Sequence, residues 1–124
     1  MKDEEYEAQK SRILALIDKW VTPLGLRWWR LNFDYNRDGS GMEKDSPIER
    51  LAGRTFVNWR YLEATLEFNM SELAALDDER LEYVFVHELM HVLLHEMRSD
   101  EEGIDHEERV ATTLARAFIT VMDE

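Results

Sequence analysis

An almost entirely apolar segment at residues 79–97 constrains the fold of this chain more than any other feature of its sequence. Large apolar side chains occur all round a helix drawn through it, and such a helix must be covered by the rest of the molecule. The acidic pair Asp77 and Asp78 favours a helix start. We therefore predict a buried central helix over residues 79–97. Its apolar residues are Leu81, Val84, Phe85, Val86, Leu89, Met90, Val92, Leu93 and Leu94.

Three further segments are predicted to be helical. Residues 4–20 repeat apolar side chains at helical spacing and are expected to form an amphipathic helix. Ser71 can cap a short helix that ends at Leu76. Residues 105–122 form the final predicted helix, with one apolar face turned inward. That face consists of Val110, Leu114, Ala117, Phe118 and Val121.

Two stretches alternate apolar and polar side chains, which is typical of strands with one solvated face. The first covers residues 26–35, and the second runs from about Thr55 to Asn69 with an interruption near residues 59–61. Between them, residues 36–53 are expected to form a loop with a short helical turn after Pro47. The sequence thus predicts an α+β fold: an N-terminal helix, a small twisted sheet of about three strands, the central helix and a C-terminal helix. The tryptophans are expected to fill the core or its edge: Trp20, Trp28, Trp29 and Trp59.

Composition and charge limit the classes of partner. The chain has 15 Lys and Arg against 27 Asp and Glu, a net charge of −12, which repels nucleic acid at long range. Because it has no Cys, it forms neither a disulfide nor a thiolate metal site. No apolar run approaches the roughly 20 residues that span a bilayer. We expect one domain over residues 1–124, soluble and cytoplasmic, with no nucleic-acid or membrane partner.

The central helix contains an HExxH pattern formed by His87, Glu88 and His91. Residues four apart share a helical face, so both imidazoles can bind one tetrahedral zinc ion while Glu88 reaches a water molecule beside it. Glu88 can take the proton of that water and pass it to a leaving amine. These polar groups would be costly in an apolar helix without a partner. The pattern therefore predicts one Zn²⁺ per chain, with Glu88 catalytic.

A catalytic zinc ion usually has three protein ligands and one open position. His95 lies about 12 Å along the helix from His87, too far to share one ion, and is expected to pack or to support the site. We prefer Glu108 as third ligand because it begins a stripe of small residues that lets the final helix pack closely on the central one. The stripe consists of Glu108, Ala111, Thr112 and Ala115.

An alternative interpretation of this region stays open at the sequence level. Asp105 and Glu108 have the spacing of a capping box, in which their carboxylates would serve the helix start instead of a metal. In that case Glu107 or His106 could supply the third ligand.

The HExxH pattern is followed by Glu108, 17 residues after His91, and by Ala111. This combination resembles that of the gluzincin zinc metallopeptidases. Residues 61–69, 87–95 and 108–115 are similar to small ImmA/IrrE-like metallopeptidases and to those encoded by phages. The resemblance spans about residues 61–118 and implies a minimal zincin-like fold. It implies a zinc metalloendopeptidase acting on a protein substrate, with His87, His91 and Glu108 on the metal. Glu88 would activate water.

The resemblance also implies where a substrate binds. In such enzymes the edge strand before the central helix pairs with the peptide. Here that strand would be the one from about Ala64 to Phe68, and the peptide would lie alongside it. The chain departs from the pattern at Met90, where many relatives carry a small residue, and at Thr112, where Asp or Asn often orients a ligand histidine.

No Tyr or His follows Glu108 to serve as oxyanion stabiliser, which leaves three candidates for that role: Tyr35, Tyr61 and Arg109. A second function class therefore stays open. In it, the chain is a catalytically silent, zinc-holding protein-binding module, antirepressor-like or toxin-associated.

A second pattern resembles a calcium loop. Asp34, Asn36 and Asp38 supply oxygen donors at the first, third and fifth positions, Gly39 stands at the sixth and Asp45 at the twelfth. A polar loop between strands has the same composition without binding an ion. Weak Ca²⁺ binding between Asp34 and Asp45 is thus a minor alternative prediction.

Overall fold

The computed structural model describes residues 1–42, 51–97 and 103–123. Within these residues the chain has four α-helices and three strands in an α+β arrangement, as predicted. The elements are α1 (Asp3–Trp20), β1 (Arg30–Asn36), β2 (Gly53–Asn58), β3 (Glu63–Asn69), α2 (Met70–Leu73), α3 (Asp78–Leu94) and α4 (Gly103–Met122). Short 3-10 turns follow β2 at Trp59–Tyr61 and α3 at His95–Met97. The helical turn expected after Pro47 lies outside the described residues.

The strands form one mixed sheet in the order β1-β3-β2. β3 pairs in parallel with β1, Arg30 opposite Glu63, and antiparallel with β2, Gly53 opposite Phe68. The prediction that the strand between Ala64 and Phe68 is an edge strand is therefore wrong. Strands on both sides already use its backbone hydrogen-bonding groups, so β3 cannot accept a further strand. β2 is the edge strand next to α3.

The core lies between one face of the sheet and the helices. Phe33 of β1 and Phe68 of β3 stack against Phe85 of α3, with ring centroids 6.3 Å and 5.8 Å away. From α1, Trp20 donates its indole N–H to Glu82 of α3 at 2.8 Å, which satisfies two buried polar groups. The predicted burial of the central helix is confirmed for most of its apolar residues, but the α-helix ends at Leu94 and Leu93 is 39% exposed. No helix in the described part of the chain has the length and apolar character needed to cross a membrane.

Several predicted boundaries move because turns and side-chain caps replace regular structure. Leu26 accepts a hydrogen bond from the backbone of Trp29, so this segment is a turn and β1 begins only at Arg30. Leu62 adopts a left-handed conformation (φ 50°) between β2 and β3, and therefore belongs to their connection. Asn69, not Ser71, caps α2, because its side chain accepts the backbone N–H of Glu72.

The inward face of α4 differs from the prediction. Ala111 and Ala115 are fully buried, whereas Val110, Phe118 and Val121 are exposed. The small residues allow α4 to approach α3 closely, and the bulkier side chains lie beside that contact. The expectation for the tryptophans is also wrong at one position, because Trp28 is 82% exposed.

Candidate metal centre

His87 and His91 lie one turn apart on α3 and direct the same ring atom to one point. Their Nε2 atoms are 3.1 Å apart, and their rings meet edge to face with centroids 4.9 Å apart. Two ring nitrogens this close are well placed to share one cation.

Glu108 of α4 completes the cluster. Its Oε2 lies 3.2 Å from Nε2 of His87 and its Oε1 lies 2.8 Å from Nε2 of His91. Two ligands of a tetrahedral zinc ion, each at roughly 2.0–2.1 Å, are about 3.3 Å apart, close to the separations found here. Among the described residues, His87, His91 and Glu108 are the group whose ligand atoms can hold a metal ion, and they are the three residues predicted.

The neighbouring residue Glu107 has a different role from the one considered in the sequence. Its carboxylate accepts the Nδ1–H of His91 at 2.6 Å, and both side chains are buried, with Glu107 only 6% exposed. A proton held on Nδ1 leaves the Nε2 lone pair available for a metal. Since α4 begins at Gly103, Asp105 lies inside the helix and the capping-box interpretation is wrong. The side chain of His106 lies outside the described residues.

The outer nitrogen of His87 has a weaker partner. Thr112 Oγ1 lies 3.5 Å from Nδ1 of His87, and Tyr83 donates its hydroxyl to Thr112 at 3.4 Å. These are long contacts, so they orient His87 less firmly than Glu107 orients His91. Met90, the other departure from the family pattern, is fully buried in the core.

Glu88 lies against β2. Its Oε1 accepts the hydroxyl of Thr55 at 2.7 Å, and the residue is only 8% exposed. A Cβ at Gly53 would lie 3.2 Å from Cγ of Glu88, so glycine lets the strand approach this side chain closely. The edge strand and the central helix thus fix the carboxylate together.

Burial and charge shift three pKa values in the site. Burial raises the pKa of Glu88, although the Thr55 hydrogen bond opposes this. Burial alone would lower the pKa of His91, but its hydrogen bonds to Glu108 and Glu107 outweigh that effect and raise the pKa to about 9. The pKa of Glu108 is lowered because Glu108 hydrogen-bonds His87 and His91. The metal-free cluster therefore holds an anionic Glu108 against a cationic His91 at neutral pH.

A cleft of about 700 Å³ opens over the cluster. β2 forms one wall, with Gly53, Thr55 and Val57, and α3 contributes Tyr83 and Val84 beside the histidines. His95 also lines this cleft, which agrees with a supporting place next to the site. Because β2 and the cluster line the same cleft, an extended chain bound there can lie beside both.

The residues considered for an oxyanion-stabilising role do not line this cleft. Tyr61 is exposed in the turn after β2, Tyr35 lies on β1 with the amine of Lys10 over its ring, and Arg109 is exposed on α4. Tyr83, which the sequence analysis missed, does line the cleft, and its ring centroid is 5.7 Å from that of His87. Its position one turn before His87 could have indicated this.

The calcium-loop residues make hydrogen bonds within their own turn. Asn36 accepts the backbone N–H of Gly39 and donates to the carbonyl of Ser40, and Asp38 accepts from Ser40. Asp34 is an exposed residue of β1. Asp45 lies outside the described residues, so the complete twelve-residue loop stays a prediction.

Comparison of the chain with protein-family models, with curated proteins and with solved structures finds no match.

Proposed function

We propose that this protein is a zinc-dependent metallopeptidase that hydrolyses peptide bonds of a protein substrate. The observation that carries the proposal is the convergence of His87, His91 and Glu108, whose ligand atoms lie 2.8–3.2 Å apart at the base of an open cleft. Two imidazoles and one carboxylate form a donor set typical of catalytic zinc. Bound there, zinc would supply Lewis acidity that lowers the pKa of water and polarises a carbonyl group.

Glu88 is the proposed catalytic residue. It follows His87 directly on the same helix, and its pKa is raised by burial, which brings a carboxylate closer to the range useful for moving protons at neutral pH. Glu88 takes a proton from the attacking water and delivers it to the leaving amine. Thr55 holds the carboxylate in place.

The substrate is proposed to lie along β2. It does not pair with the strand that includes Ala64 and Phe68, because β2 is the edge strand that lines the cleft. An extended peptide added to this edge would pass beside Glu88, since Thr55 donates a hydrogen bond to that residue and Gly53 lies close to it.

Metal analysis and peptide cleavage test the proposal together. The wild type, purified without added metal, should contain about one zinc per chain, and Glu108→Ala should lose most of it. Against a mixed peptide library read by mass spectrometry, Glu88→Gln should keep zinc and lose cleavage by at least about 100-fold. Glu79→Gln, an exposed substitution on the same helix, is the matched control.

The outcome also separates the second function class. A wild type that holds zinc but cleaves no peptide, with a biological effect that survives Glu88→Gln, would favour the zinc-holding protein-binding module. Loss of that effect in Glu88→Gln, with the metal and fold retained, would require catalysis. A chain that binds no zinc after reconstitution would contradict both.

A further inference from the structure

The end of the sheet at which β1 and β3 begin exposes aromatic side chains to an unusual degree. Trp28 is 82% exposed and Tyr61 is 77% exposed, although residues of this size bury most of their surface in a folded domain. The backbone N–H of Arg30 donates to the carbonyl of Leu62 at 2.8 Å, which holds their two segments side by side. We define the aromatic–arginine surface by the residues Arg27, Trp28, Arg60, Tyr61 and Leu62.

Arginines accompany these aromatic rings. The guanidinium of Arg27 lies over the ring of Trp28 at 5.7 Å, and that of Arg60 lies over Trp59 at 5.3 Å. Tryptophan, tyrosine and arginine are the residue types that contribute most to protein-binding hot spots. The composition of this surface is therefore typical of a place where another chain docks.

The local charge is opposite to that of the molecule. Residues 19–33 and 51–62 contain no Asp or Glu, although the whole chain has 27. These two segments supply the aromatic–arginine surface, whose five residues include two arginines and no carboxylate on a protein whose net charge is −12. An acidic segment is the complementary partner. A nucleic acid fits less well, because the rest of the molecule repels a long polyanion.

Part of the aromatic–arginine surface, the turn that carries Arg60 and Tyr61, follows β2 directly along the chain. β2 passes Glu88 at Thr55, ends at Asn58, and leads without a break into the turn that carries Arg60. At roughly 3.3 Å per extended residue, Arg60 lies up to about 16 Å along the chain from Thr55. A peptide on the edge of β2 would therefore reach the Arg60 end of this surface four to six residues from the bond beside Glu88.

We propose that the aromatic–arginine surface docks an acidic segment of the protein substrate, containing aromatic or aliphatic residues, four to six positions from the scissile bond. The proposal rests on the proposed function for the identity of the occupant. The docking itself requires no catalysis, so binding can be measured separately from cleavage.

Binding of labelled peptides to full-length Glu88→Gln protein tests the proposal. All four probes share one apolar centre. In each pair, one peptide has an acidic flanking segment of Asp, Glu and Phe, and the other has a basic segment of Lys, Arg and Phe. The segment lies on the N-terminal side in one pair and on the C-terminal side in the other. Fluorescence anisotropy should show an acidic peptide binding at least about tenfold more tightly than its basic counterpart. Equal affinities in both pairs would overturn the proposal.

Variants locate the binding. Trp28→Ala and Arg60→Glu should each weaken binding of the acidic peptide at least about tenfold, with zinc content and circular dichroism unchanged. Arg37→Glu, at the opposite end of β1, is the matched charge-reversal control and should bind normally. Unchanged affinity in both surface variants would refute the assignment. So would tighter binding of a dT12 oligonucleotide than of either acidic peptide.

The proposal and the proposed function can fail separately. Surface-dependent binding of an acidic peptide by a wild type that never cleaves it would support the docking surface and contradict the peptidase. Efficient cleavage that is indifferent to the acidic segment and to Trp28→Ala would support the peptidase and overturn the docking surface.

Discussion

Glu107 and Glu108 are adjacent on α4 yet lie against opposite nitrogens of the same imidazole. Successive helical residues point about 100° apart, so one carboxylate reaches Nε2 of His91 and the other reaches Nδ1. The consecutive pair thus both completes the cluster that could hold a metal ion and orients one of its histidines. The buried hydrogen bond between Glu107 and His91, 2.6 Å long, is much shorter than the 3.5 Å contact of Thr112 with His87.

We predict that Glu107→Gln weakens zinc binding by about 10–100-fold without removing it. The amide keeps the size of the side chain but loses the negative charge that favours a proton on Nδ1 of His91. Competition with a chromophoric chelator measures the affinity, and Glu79→Gln is the surface control. Unchanged affinity would mean that Glu107 acts only by filling space.

At the scale of elements, the site depends on how closely α4 packs on α3. Ala111 and Ala115 are fully buried on the face of α4 that also carries Glu108. Because Glu108 lies one turn before Ala111 and two turns before Ala115, any separation of the two helices moves its carboxylate away from both histidines.

We predict that Ala115→Leu destabilises the fold by about 1–3 kcal/mol and lowers zinc affinity, because the larger side chain forces the helices apart. Ala117→Leu adds the same atoms at an exposed position of α4 and should change neither property. Denaturant unfolding and zinc competition give the two readouts. Equal effects of both substitutions would contradict the packing argument.

At the scale of the whole molecule, a bound metal would tie two helices that are far apart in the sequence. Zinc at 100 times its dissociation constant should add about 2.7 kcal/mol to the free energy of unfolding. For a domain of this size that corresponds to a rise in Tm of about 10 °C. Thermal unfolding with and without a chelator measures it, and Glu108→Ala should show almost no difference between the two conditions.

The gap in Tm between zinc-loaded and chelated protein should widen as pH rises from about 6.5 to 9. In the folded metal-free protein the pKa of His91 is about 9, above its ordinary value of 6.5. The protonated imidazole of His91 therefore contributes fully to the free energy of unfolding below pH 6.5, and this contribution is lost as pH rises through 9. Bound zinc keeps the imidazole of His91 neutral over this whole pH range, so the stability of the zinc-loaded protein does not fall in the same way. A gap that narrows over this range would contradict the prediction.

Local patterns in the sequence were sufficient for much of the molecule. The four-residue spacing of His87 and His91 placed both imidazoles on one face of α3, and the alternation of Leu31, Phe33 and Tyr35 gave the inner face of β1. Glu108 was found in the same way, from a stripe of small residues. Each inference needed only the geometry of one helix or one strand.

Tertiary structure alone decided which strand lies at the edge and what surrounds the ligands. Apolar and polar side chains alternate along both β2 and β3, and this pattern is the same for a central strand and an edge strand. Only the pairing of distant segments therefore placed β3 between β1 and β2. The hydroxyl of Thr55 on Glu88 and the carboxylate of Glu107 on His91 depend on contacts across 33 and 16 residues. No periodicity within a single element encodes such contacts, because they arise only when the sheet and the two helices pack together.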